Sequence, residues 1–359
     1  MPTLYVTEPG SRIEKEYERL LVTHDDEVLL AVPLTQVTEV VLMGGVGVTT
    51  PALLSLLDHG TGLSLVSNTG RLRGRLIAAE ARNLPLRHKQ YARSGEAGFC
   101  LEISRAIVAG KLKNSRTMAR RILRSDEKAG AHPGRPGDGE SPDPAFQAGQ
   151  AAYDSPRPAL DIERINAALA QAAQARDLAE LRGLEGSGSR AYFCVLRAAL
   201  RPELTFVKRT RRPPGDPANA LLSLAYTLLT QALFTACEVA GLDAYDGFFH
   251  ADKYGRPALA LDLVEEFRAI VADSVVLTVV NNRMLTADDF EPGREGGVYL
   301  SRRGLRTFVA QFGRRLNATV FHPEAGRALT YQKVFEVQAR QMRRCIESGL
   351  PDYAPFLAK

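Results

Sequence analysis

The stretch GLDAYDGFFHADKYGRPALALDLVEEFRAIVADSVVLTVVNNR, from Gly241 to Arg283, decides the fold of the larger part of this chain. Pro257 sits where a first helical turn tolerates it. After it, Leu263, Val264, Phe267, Ile270 and Val271 recur at i, i+1, i+4, i+7 and i+8, the apolar stripe of an amphipathic helix. Asp262, Glu265 and Glu266 fall off that stripe, at three- and four-residue spacings that put their carboxylates on one helical surface. Two readings are open. The acids form a solvated face with Arg268 as partner, or they share a cation. His250, just upstream in a loop rich in Gly and Asp, adds weight to the second, because an imidazole and carboxylates together hold a divalent ion such as Mn²⁺ or Mg²⁺.

Outward from this stretch, 359 residues are enough for two domains and a substantial core. Cys100, Cys194, Cys237 and Cys345 lie far apart with no CxxC pair, which argues against a cysteine zinc site and for a reducing cytoplasm. The first residues lack a signal-peptide pattern, and no run of about 18 apolar residues calls for a membrane. The formal charge of +5 is modest, but its distribution is not. Arg105 to Arg124 holds seven Lys or Arg and no acid, and Arg71 to Arg93 holds seven against Glu80 alone. Further basic blocks run from Lys208 to Arg212 and from Arg302 to Arg315. Clustered positive charge favours a polyanion, here nucleic acid, against the plainer alternative of a solvated basic face.

Leu4 to about Ile77 reads as β structure with at least five strands, including two flanking an Asn-Thr-Gly turn, and one helix, TPALLSLLDHG. The expectation is an α+β chain, with a β-rich, sandwich-like domain over residues 1–80 and a larger helical domain over 81–359. His24 and His59 read as structural or surface residues, and His88, among basic residues, as a phosphate contact or a plain surface position. Ser125 to Pro158 carries six prolines and almost no aliphatic residues, so it reads as a flexible loop, with His132 inert within it. GLEGSGS reads as the end of one helix and the start of another. Glu185 at that break is then either a ligand or an acid complementing a helix N-terminus. Asp216 or Asn219 caps a long, nearly all-apolar helix, the candidate core helix, and a turn or short hairpin precedes the basic helix near Arg302. No Walker loop or credible GxGxxG is present.

Glu185, His250 and Glu265, with Asp262 beside the last, stand in chain order as candidate ligands within a basic helical domain. A divalent metal so held polarises a phosphodiester, while Lys and Arg grip the flanking backbone. The combination points to a metal-dependent nuclease or strand-transfer enzyme.

The same residues resemble a family. GKLKN (Gly110–Asn114), LRGLEGSGSRAYF around Glu185, RRPPGDPANALLSLAY from Arg211, GFFHADKYGRPALALDLVEEFR (Gly247–Arg268) and LSRRGLRTFVAQFGRRL near the end are similar, in that order, to the CRISPR-associated adaptation endonuclease, the larger catalytic subunit of the spacer integrase. The resemblance implies that Glu185, His250 and Glu265 are the ligands of Mn²⁺ or Mg²⁺, with Asp262 an accessory acid one turn earlier. It implies a homodimer, and a hetero-hexamer in which two dimers flank a dimer of a small ferredoxin-like partner. It further implies double-stranded DNA as the substrate, a captured fragment's 3′-hydroxyl attacking the ends of the CRISPR repeat. Lys111, Lys113, Arg116, Arg120, Arg121, Lys208, Arg209, Arg211 and Arg212 are the candidate DNA contacts. The long Pro-rich loop departs from the family pattern. Two rivals stay open, another metal-dependent structure-selective DNA nuclease and a non-catalytic DNA-binding scaffold. A zinc hydrolase is weaker, because His250 has no second histidine near it.

Overall fold

The computed structural model describes residues 3–67, 72–76, 78, 83–128, 158–206, 208–210, 213–250, 254–293 and 296–358. The chain is α+β, as the sequence pattern indicates. Among the described residues eight strands precede the main helices: β1 (Thr3–Val6), β2 (Arg12–Glu16), β3 (Arg19–His24), β4 (Glu27–Pro33), β5 (Glu39–Met43), β6 (Gly47–Val48), β7 (Gly62–Val66) and β8 (Leu72–Leu76). They form two four-stranded sheets, ordered β1-β5-β7-β8 and β4-β3-β2-β6. Helix α1 (Thr50–Asp58) joins the sheets and ends at Gly60, whose φ of +65° suits glycine. Within β5, alternate residues serve two cores. Val40 and Leu42 pack with Ile13, Leu20 and Leu56, whereas Val41 and Met43 join the core of the helices. The predicted Asn-Thr-Gly turn lies outside the described residues, but β7 and β8 on either side of it do pair antiparallel.

Helices take over after β8: α2 (Leu84–Ser94), α3 (Ala97–Lys128), α4 (Pro158–Ala172), α5 (Leu178–Ala199), α6 (Pro217–Val239), α7 (Ala258–Phe267), α8 (Ser274–Asn281), α9 (Arg302–Asn317) and α10 (Tyr331–Ser348). Asp216 is the cap of α6, accepting a hydrogen bond from Asn219 N at 2.7 Å. By length and composition α6 could cross a membrane, but it is mostly buried and runs through the helical core. The hairpin expected before the basic helix is present as β9 (Phe290–Pro292) and β10 (Val298–Leu300), and a second, β11 (Thr319–His322) with β12 (Arg327–Thr330), was not foreseen. All four cysteines are buried and outside any disulfide.

Three sequence readings change. Helix α3 continues to Lys128, so residues 125–128 belong to it, and 129–157 lie outside the described residues. GLEGSGS does not break a helix. Helix α5 runs through it from an N-cap at Asp177, whose side chain accepts from Glu180 N at 2.8 Å. The reason is packing, which outweighs glycine's poor helix propensity. A Cβ on Gly188 would stand 2.5 Å from Leu112 Cδ2 and 3.2 Å from Ala168 Cβ, so the glycine lets α5 close on α3 and α4. Gly188→Ala is therefore expected to destabilise by about 1–2 kcal/mol through overpacking. Gly183→Ala, with nothing within 4 Å of its Cβ, should instead stabilise by up to about 1 kcal/mol. Thermal unfolding of the two variants side by side checks both signs. The third change concerns the acids of α7. Asp262, Glu265 and Glu266 are all buried, so no solvated acidic face exists there.

Candidate functional site

Asp262 organises the loop in front of α7. Its Oδ2 accepts hydrogen bonds from Phe248 N (2.7 Å) and Phe249 N (3.0 Å), and its Oδ1 from His250 N (2.9 Å) and His250 Nδ1 (2.7 Å). A fully buried carboxylate that takes four donors has no lone pair directed at anything else. Asp262 is thus the anchor of the His250 loop. Because Asp262 accepts from Nδ1, the ring is held with its other nitrogen, Nε2, turned toward Glu265. That nitrogen lies 3.6 Å from Glu265 Oε1.

Glu265 is 4 % exposed. Arg268 Nη1 donates to its Oε1 at 2.7 Å, and Lys111 Nζ lies 2.6 Å from its Oε2. Burial alone would raise its pKa, but Arg268, Lys111 and His250 together carry it down to about 2. Glu185 arrives from the middle of α5, which excludes the helix-N-terminus reading. Ser189, one turn on, donates to Glu185 Oε1 at 2.7 Å, and Lys111 Nζ donates to the same oxygen. Glu185 and Glu265, 80 residues apart, therefore meet at one ammonium group, with the His250 imidazole beside the second of them.

The helices are held in this arrangement from outside the site. Arg182, one turn before Glu185, donates to Phe249 O through Nη2 (2.7 Å) and Nε (3.2 Å). Gln90 of α2 donates to Asp243 O (2.8 Å) and Asp246 O (2.7 Å) and accepts from Asp243 N (2.9 Å). The segment after α10 straps α3 to α7. Pro355 packs where a Cβ on Gly110 would stand, 2.4 Å away, and Asn114 Nδ2 bonds both Glu266 O and Phe356 O at 2.8 Å. Glu266 accepts from Phe356 N, Gln338 and Tyr353. The GKLKN motif is thereby accounted for, the glycine and asparagine by this strap and Lys111 by the site.

Directly after α7 the backbone widens into a π turn, Arg268–Asp273, a feature frequent at functional sites. Arg315 Nε takes up the Ile270 carbonyl at 3.0 Å. Arg268 stacks on Tyr226, which donates to Asp273 Oδ1 at 2.6 Å. Burial, partly offset by Tyr226 and Arg268, raises the Asp273 pKa to about 6. A raised folded-state value means that this group's contribution to stability is complete below about pH 4 and is lost as pH rises through 6. Asp273→Asn should remove that decline, worth up to about 3 kcal/mol, and unfolding midpoints from pH 4 to 8 check it.

The basic candidates separate. Arg120, Arg121 and Lys208 are exposed, and Lys113 is partly so. Arg116 is half-buried and donates to Asn166 Oδ1 at 3.1 Å. Arg209 is tied to Asn219 Oδ1 (2.6 Å) and Ser223 Oγ (3.2 Å), where it braces the start of α6. Arg211 and Arg212 lie outside the described residues. Lys111 is no surface contact, being 8 % exposed within the carboxylate pair. Neither its place nor that of Ser189 was read from sequence. Ser189 carried a signal in its i+4 spacing from Glu185, whereas Lys111 had none, its partners being 74 and 154 residues away.

Among the described residues no three His, Cys, Asp or Glu side chains form a finished metal cage. Lys111 stands between Glu185 and Glu265. The donor set nevertheless fits a hard divalent cation, with two carboxylates and an imidazole whose Nε2 faces one of them.

Fold and site together define an α+β protein with N-terminal strands and a larger helical C-terminal region that carries a carboxylate–imidazole centre. The description "CRISPR associated protein Cas1" matches residues 4–135 and 146–314, and the chain belongs to that family. It is 36 % identical over 359 residues to "CRISPR-associated endonuclease Cas1 3" of Thermus thermophilus, covering 99 % of this chain and 97 % of that protein. The fold is shared with a "Casposase bound to integration product" (TM-score 0.80, 20 % identity, 100 % of this chain and 95 % of that one). It is also shared with a chain of a "Cas6-RT-Cas1--Cas2 complex" (TM-score 0.77, 23 % identity, 99 % of this chain and 36 % of that one).

Proposed function

We propose that this chain is a metal-dependent DNA endonuclease and integrase that inserts new spacer DNA into a CRISPR array. The observation that carries the reading is the convergence of Glu185, Glu265 and His250 from three separate segments, with the imidazole oriented by Asp262. Glu185, His250 Nε2 and Glu265 would hold Mn²⁺ or Mg²⁺, which supplies positive charge at the reacting phosphate. The incoming DNA 3′-oxygen forms a bond to the target phosphorus while the bond from phosphorus to the target's own 3′-oxygen breaks. One phosphodiester is exchanged for another, a 3′-hydroxyl is released, and no protein nucleophile is required. Exposed Arg120, Arg121 and Lys208 would contact the DNA backbone.

The family's endonucleases, the casposase with its integration product and the complex containing Cas2 support the reading. On that reading a cytoplasmic homodimer works with a small ferredoxin-like partner, a Cas2 chain, in a hetero-hexamer. The edge strand β4 supports the dimer. Its Val28, Leu29 and Leu30 are 57 %, 53 % and 46 % exposed, and an unpaired apolar edge of this kind invites a second copy.

The test uses purified protein, a labelled short duplex with free 3′ ends and a supercoiled plasmid carrying a repeat array, in Mn²⁺ or in EDTA, with and without the partner. Label joined to plasmid in Mn²⁺ only is the expected result. Cutting without joining would favour a structure-selective nuclease, and binding alone a scaffold.

A further inference from the structure

Lys111 occupies a position that neither phosphate binding nor the ligand set explains. Its ammonium pairs with Glu185 Oε1 and lies 2.6 Å from Glu265 Oε2. The stretch of α3 that carries it is fixed on both sides. Gly110 abuts Pro355, Leu112 fills the gap at Gly188, and Asn114 is bonded to Glu266 O and Phe356 O. A lysine meant for DNA would be exposed and unpaired, and this one is neither. Glu185, Asp262 and Glu265 bring three negative charges into a site where the paired cations are Lys111 and Arg268. Arg268 contacts Glu265 only through Oε1, on the side away from Lys111. Lys111 is thus the group that spans the two ligand carboxylates, which would otherwise repel each other in a poorly hydrated space.

Resting on the reading of this site as a divalent-metal centre, we infer that Lys111 is a built-in counter-cation. It is a positioning residue that holds Glu185 and Glu265 at ligand spacing before the metal arrives and competes with the metal for them. A flexible four-carbon stem lets the ammonium give up that shared position, which the planar, bidentate guanidinium of arginine would hold more firmly.

The test is Mn²⁺ binding by the full chain without DNA, read from the electron paramagnetic resonance signal of free Mn²⁺ for wild type, Lys111→Met and Lys111→Arg. Melting temperatures are recorded with and without Mn²⁺. Without metal, Lys111→Met should melt below wild type, because two carboxylates have lost their counter-charge, and Mn²⁺ should restore it. Its Mn²⁺ affinity should exceed that of wild type by about tenfold, and that of Lys111→Arg should fall about fivefold below. Duplex binding in EDTA should change less than about twofold, since the ammonium does not face solvent. Lys111→Gln serves where Lys111→Met does not fold. Mn²⁺ affinity of the uncharged variants equal to or weaker than that of wild type overturns the inference, as does a loss of duplex binding with unchanged Mn²⁺ affinity. Failure of the metal reading itself is separable, because wild type and His250→Ala would then bind Mn²⁺ equally.

Discussion

His250→Ala is expected to abolish strand transfer, by about 10³-fold or more, while the fold persists. The ring stands in a loop and contributes one side-chain hydrogen bond, to Asp262, so its removal spares the core. What is lost is the imidazole nitrogen 3.6 Å from Glu265. Glu185→Ala should behave alike in the joining assay, with a smaller effect on stability than any change at Glu265, because the Glu185 side chain is 20 % exposed and less tightly enclosed. Duplex affinity should stay near wild type in both, the contacts being phosphate contacts made elsewhere. Joining retained by either purified variant would remove the site from the mechanism.

Asp262→Ala should be the more damaging change to the molecule as a whole. Two buried backbone amides, of Phe248 and Phe249, and the part-buried amide of His250 would lose their acceptor together with the imidazole Nδ1. Stranding such donors costs roughly 1–3 kcal/mol each, and a net loss of about 3–5 kcal/mol is expected. Joining should fall with it, since Nε2 is no longer held in its direction toward Glu265. Asp262→Asn, which keeps one acceptor oxygen, should fall between in stability yet remain poor in joining. Thermal unfolding and the joining assay on the same preparations decide the matter. An Asp262→Ala protein as stable as wild type, deficient only in Mn²⁺ affinity, would make Asp262 a ligand instead of an anchor.

The two roles of the acids in α7 show where a one-dimensional reading stops. Spacing alone puts Asp262, Glu265 and Glu266 on a shared surface, and it makes a solvated face a fair alternative. In the structure they point three ways: Asp262 into the loop before the helix, Glu265 to Lys111 and Arg268, and Glu266 to Tyr353, Phe356 and Gln338. The helix is buried all round, so each acid has its own enclosed set of donors. The basic residues show the same thing in reverse. Lys111, Arg116 and Arg209 have the composition of DNA contacts and the surroundings of internal braces.

By itself the sequence determined the α+β class, the β-rich start, the core helix α6 with a cap at Asp216 or Asn219, and the candidate residues Glu185, His250 and Glu265. Those follow from local quantities, namely hydrophobic period, capping chemistry and residue type at short spacing. Tertiary structure alone decided that GLEGSGS is continuous helix, that Asp262 is an anchor and that Lys111 lies between the carboxylates. Two of these depend on partners far along the chain, Leu112 for Gly188 and Glu185 and Glu265 for Lys111, and the third on how the loop before α7 folds back onto Asp262. Burial against such a partner reverses what local propensity and charge favour, because a packed contact or a paired charge outweighs them once water is excluded.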